Sequence, residues 1–142
     1  MTIYIPQLSE LPTANMRALD PTAQCSITAP NGVPTAFAYE WTDLRVVVNV
    51  LPAAELAQHL QGFVGFIRHG CAALHRPMDE SLERRILSTT LVLGFVVERT
   101  VEPDGWRDRV QDMIGTIASN TRALVFWEGG VFDEHARQLF PS

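Results

Sequence analysis

The chain contains no lysine: all 11 of its basic side chains are arginine. A Schiff-base mechanism, a covalently held pyridoxal phosphate and a Walker A phosphate loop each need a side-chain primary amine, so those chemistries are excluded. Cysteine is scarce too. Cys25 and Cys71 are too few for a disulfide framework and too far apart for a CxxC pair, which predicts reduced thiols and a cytoplasmic setting. No apolar run approaches the roughly 18 residues of a membrane span, and the first residues lack the basic flank and apolar stretch of a signal peptide. GxSxG, HExxH, GxGxxG and EF-hand patterns are all missing, and no metal or cofactor is expected. The net charge is -5, with arginines interleaved among carboxylates, whereas a nucleic-acid binder needs a concentrated basic face. The arginine-only, alanine-rich composition fits a GC-rich bacterial coding sequence, which bears on base usage and not on function.

What is present suits one ordinary domain. At 142 residues and 46% hydrophobic, the chain is long and apolar enough for a continuous core, so 1–142 is read as a single unit. Pro6, Pro12, Pro21, Pro30 and Pro34 crowd the first 34 residues. Each fixes φ and removes a backbone donor, so 1–34 is read as a Pro-rich arm packed on the domain, with short edge strands at 3–5 and 25–28. Residues 35–51 alternate apolar and polar around Thr42-Asp43, the pattern of a hairpin. Phe37, Tyr39 and Trp41 share one face, as do Leu44, Val46, Val48 and Val50, while Arg45, Val47 and Asn49 lie on the other, partly wet face.

After Pro52, Leu60, Phe63, Val64, Ile67, Cys71 and Leu74 fall within about 100° of a helical wheel that starts at Leu56, which predicts an amphipathic helix ended by Pro77. Gly62, Gly65 and Gly70 within it suggest close packing. Asp79 is placed to cap a short helix. The most strongly patterned stretch is 91–132: a strand, a helix from near Trp106 with Val110, Met113, Ile114 and Ile117 inward and Asn120 as its C-cap, a strand at 123–127, and a glycine turn. Asp133 then caps a final helical turn. The sum is an α+β fold: a two-layer sandwich of a mostly antiparallel sheet, hairpin plus strand-helix-strand, with two main helices packed on it and room for one parallel crossover.

Four groups of side chains merit weighing. Glu128, Asp133 and His135 follow the last strand, where a carboxylate, an acid at a helix start and an imidazole are compatible with acid-base chemistry. The plainer reading is a glycine turn, a cap and a solvated histidine. His69, Cys71 and His75 bring zinc-like ligand types together, but Cys71 belongs to the buried stripe and no second cluster completes a site. His59, Phe66 and His69, with Gly62, form a second face of the same helix, able to seat a partner around an aromatic unless the N-terminal arm covers it. Asp104, Asp108 and Asp112 make an acidic ridge on the later helix. With no catalytic constellation in view, the expectation is a non-enzymatic interaction module of the accessory or immunity type that binds a protein partner or a second copy of itself, with no nucleic acid or membrane involved. The alternative is a small enzyme or small-molecule-binding domain with its site near Glu128.

Overall fold

Strand alternation decides the architecture. The computed structural model describes residues 1–8 and 10–141, which form eight strands and four α-helices. The strands are β1 (Thr2–Pro6), β2 (Gln24–Thr28), β3 (Ala36–Glu40), β4 (Leu44–Val50), β5 (Thr89–Thr100), β6 (Leu124–Trp127), β7 (Gly130–Phe132) and β8 (Gln138–Phe140). They join in one sheet, ordered β2-β3-β4-β5-β1-β6-β7-β8, in which every pair of neighbours is antiparallel. The helices are α1 (Thr13–Arg17), α2 (Leu56–Ala73), α3 (Glu80–Leu87) and α4 (Arg107–Thr121). The fold is α+β, with helices packed against the sheet.

The helices divide between its two faces. Ile3 and Ile5 on β1, Leu91, Leu93 and Phe95 on β5, and Phe37 and Tyr39 on β3 turn toward α4 and α1. Tyr4, Val92, Leu124 and Val131 turn the other way, toward α2 and α3. The sheet is therefore the middle layer, with a core on each side. Tyr39 ties α1 to the first core by donating its hydroxyl to the Met16 carbonyl at 2.6 Å. A fully buried side chain such as Ile67 or Leu93 contributes about 1.5–3 kcal/mol relative to exposure, so the two stripes supply most of what orders the helices.

The hairpin at 35–51, the α2 stripe and the Asp79 cap form as their patterns imply, with Asp79 accepting from Ser81 N at 2.8 Å. Elsewhere the structure corrects the pattern. The strand at the N-terminus is not an edge: β1 lies between β5 and β6 and is buried on both faces. Proline density misleads there because each proline avoids a strand interior. Pro6 sits where the register of β1 slips, and Pro12 stands at the start of α1. Since β5 and β6 both run antiparallel to β1, the β5-α4-β6 unit is a crossover that skips one position, and the sheet stays antiparallel. No helix follows Asp133; the chain folds back as the β7-β8 hairpin. Two helix ends also differ. His75, at φ 55°, stops α2 before Pro77, and Arg122, at φ 56°, rather than Asn120, closes α4. Gly70 alone among the three α2 glycines is tightly packed, since a Cβ there would lie 2.6 Å from the Phe140 ring.

Candidate functional site

The sheet face toward α2 is only half covered. α2 starts beside the end of β4 and crosses over Val92, Tyr4 and Leu124. It leaves open the same face of β2, β3, β4 and the far half of β5. Register defines that floor. One row runs Phe126, Thr2, Gly94, Asn49 and Ala36 across five strands, and the next runs Val96, Val47, Ala38 and Ser26. Among the described residues, Val47 is the one buried hydrophobic side chain that belongs to neither core, and Val96 is 47% exposed. On this face Val96 is left exposed while Val47 beside it is buried, so Val96 is the apolar side chain the face offers to a partner.

α2 supplies a wall beside this floor. Tyr4 stacks on Phe63 at 4.4 Å, Phe63 meets Phe126 edge-on at 5.3 Å, and Phe126 meets Phe66 edge-on at 5.6 Å. The chain of rings emerges from the core and ends in solvent, with Phe66 51% exposed. Offset and edge-to-face contacts of this kind hold aromatic planes in place, so Phe66 is a preset anchor and not a loose side chain. His59, one turn before Phe63, is half-buried and lies 3.0 Å from the Tyr4 hydroxyl. Burial pushes the Tyr4 phenol well above its ordinary range, so it stays a neutral hydroxyl. Gly62 has open space where a side chain would be, which leaves a notch between His59 and Phe66.

At the far end, the floor is bounded by charges that neutralise one another. Arg45 bonds Glu98 at 2.8 Å and Glu40 at 3.2 Å, and Arg99 reaches Glu40 at 3.2 Å. The hydrogen bond that Arg45 Nε donates to Glu98 raises the Arg45 pKa above its ordinary value, so this guanidinium stays charged. Two cations and two anions make this rim neutral in a chain of net charge -5.

The remaining candidates fall elsewhere. Glu128 and Gly129, at φ 49° and 80°, are the two central residues of a tight turn between Trp127 and Gly130, and Glu128 pairs with Arg107. Asp133 is buried in the β7-β8 turn. Its Oδ1 accepts the backbone N–H of His135 and of Arg137, each at 2.9 Å, and its Oδ2 accepts Arg137 Nε at 3.2 Å. Burial pushes this carboxyl up, but the N–H donors of Arg137 and His135 outweigh it and hold the pKa below the usual carboxylate value. The His135 side chain is 81% exposed. Asp133 and His135 line a groove of about 580 Å³ with Ile114, Gly115, Trp127 and Phe132, whereas Glu128 borders a separate hollow of about 320 Å³. The three residues do not converge. Asp108 and Asp112 are exposed on α4, in the layer opposite α2, whereas Asp104 lies in the turn before that helix and not on it; the acidic residues and the Phe66 face are two surfaces. His69 is exposed beyond Phe66, Cys71 is buried, and no group of three metal-ligating side chains occurs among the described residues.

Sequence pattern points to Phe66, His59 and Gly62 but misses Tyr4, Phe126, Val96 and the charged rim. Only the strand order brings those together. No family model matches the chain, and comparison with curated proteins and with solved structures returns no match, so the site rests on its own geometry.

Proposed function

We propose that the protein is a non-enzymatic interaction module of the accessory or immunity kind, which docks a protein partner in the corner between α2 and the uncovered β3-β4-β5 face. One observation carries the reading: the ring series from Tyr4 ends in an exposed Phe66, packed edge-on against Phe126, on the same sheet face as Gly94 and the exposed Val96. Buried aromatic anchors flanked by paired charges are the usual centre of a binding surface. The neutral rim suits a partner docked by shape and apolar contact rather than by a strong field. Two free thiols suit a reducing cytoplasm, and bacterial origin remains part of the proposal on composition alone.

The test is affinity capture from the native host with wild type and with Phe66→Asp/Val96→Asp. The expected result is a partner held by wild type and lost from the double variant at unchanged thermal stability. Recovery of the same proteins by both, or of none by either, would overturn the proposal. A second reading, small-molecule binding, is favoured by the groove of about 580 Å³, a volume in the range of ligand pockets and lined by Trp127 and Phe132. It moves the alternative site from Glu128 to the α4 side of the same hairpin. A metabolite panel that shifts the melting of wild type but not of Gly115→Trp would support it.

A further inference from the structure

The two edges of the sheet differ. β8 is three residues long, a register slip interrupts its pairing with β7, and Pro141 follows it, all of which discourage a further strand. β2 has five residues, Gln24-Cys25-Ser26-Ile27-Thr28, with no charge and no proline among them. Its free side is unguarded.

The hydrogen-bonding parity of β2 follows from its neighbours. Trp41 N donates to Leu44 O, so the odd-numbered residues of β3 direct their backbone groups to β4. The even-numbered residues Ala36, Ala38 and Glu40 therefore face β2, where they pair with Thr28, Ser26 and Gln24. Thr28 O accepting from Thr35 N agrees. By alternation, the N–H and C=O of Cys25 and Ile27 point outward from the sheet.

We propose that this edge takes β2 of a second copy of the chain, antiparallel and centred on Ser26. The register is self-complementary: Ser26 faces Ser26, Cys25 faces Ile27 in both directions, and the outward N–H and C=O groups of Cys25 and Ile27 close four inter-chain hydrogen bonds. Cys25 and Ile27 are half-buried against the α4-side core and unfinished on their outer side, so each covers the other's partner. With no charged residue in the strand, a chain of net charge -5 pairs with itself without opposing like charges along β2, and Asp108 and Asp112 of α4 lie off the strand. Opposed residues of antiparallel strands share a face, so pairing joins the two uncovered faces into one floor between two α2 walls. That last consequence rests on the interaction reading above; the pairing itself does not.

The experiment is sedimentation over a concentration range, with Ile27→Pro and Ser26→Cys. Proline at 27 removes an outward donor and leaves the β3 ladder intact. Wild type is expected to dimerise, and Ile27→Pro to dimerise about tenfold more weakly or worse, with some loss of melting temperature because the Ile27 side chain also packs on the core. Ser26→Cys is expected to give a covalent dimer under mild oxidation, and Gln24→Cys, which lies off the two-fold, none. Should Ile27→Pro fail to fold, the Ser26→Cys against Gln24→Cys contrast decides. Monomeric wild type at millimolar concentration, or a dimer indifferent to both changes, overturns the proposal. A dimer broken only by Phe66→Asp would assign self-contact to the α2 corner instead. Loss of the dimer with partner capture intact would leave the docking proposal standing, so the two fail separately.

Discussion

Replacing Asp133 with alanine tests whether that carboxylate serves structure or chemistry. Its side chain is 4% exposed and holds two backbone N–H groups at 2.9 Å and the Arg137 guanidinium at 3.2 Å. Hydrogen bonds to a charged group are worth about 1.5–3 kcal/mol when one partner is removed. His135 and Arg137 are exposed, so water partly replaces the lost acceptor, and the net cost is about 2–3 kcal/mol. For a chain of this length that lowers Tm by about 5–10 °C. Sign follows from the depressed pKa. A carboxyl whose folded pKa is below its unfolded value of about 3.9 contributes stability that is complete above that value and is lost as pH falls through the folded pKa. The gap between wild type and Asp133→Ala is therefore full at neutral pH and shrinks below about pH 4. Thermal melting by circular dichroism at neutral and acid pH reads both effects. A variant that melts with wild type at neutral pH, or a gap that widens in acid, would refute this account and reopen Asp133 as an acid-base group.

The α2 glycines give an opposed pair. Gly65→Ala meets nothing within 4 Å and should stabilise by about 0.5–1 kcal/mol through helix propensity, whereas Gly70→Ala drives into Phe140 and should destabilise by about 1–3 kcal/mol, both read by denaturant melts. Glu128→Asn should raise stability by a few tenths of a kcal/mol, because asparagine tolerates the left-handed turn and the exposed Arg107 pair is worth little; a loss of more than about 1 kcal/mol in the same melts would show that the pair matters. Ile67→Ala should cost about 2–5 kcal/mol, since Ile67 is fully buried between α2 and the sheet.

How far residues announce these features depends on how local their causes are. The hairpin at 35–51 and the stripes of α2 and α4 are legible because period two and period 3.6 are written within a dozen residues. β1 is not. Ile3-Tyr4-Ile5 shows only three apolar residues beside a proline, and what makes it central is pairing with β5 and β6, some 90 and 120 residues away. Asp133 is half legible: it does hold N–H groups two and four residues ahead, as a cap does, but Ala136 at φ 62° turns the chain back into a strand. The same limit governs the site. Phe66, His59 and Gly62 share a helix face and can be found on a wheel. Val96 and Phe126 join them only once β1 is known to separate β5 from β6, and Asp104, Asp108 and Asp112 part from them for the same reason, because α4 covers the other face.

We propose that a partner docks against α2 and the uncovered sheet. The most direct test of that docking is amide NMR of the labelled protein titrated with the partner recovered by capture. Shifts concentrated at Gly62, Phe66, His69, Gly94 and Val96 are the expected result. Shifts concentrated at Gln111, Gly115 and His135, with the α2 corner unmoved, would contradict the account and transfer the binding surface to the groove beside α4.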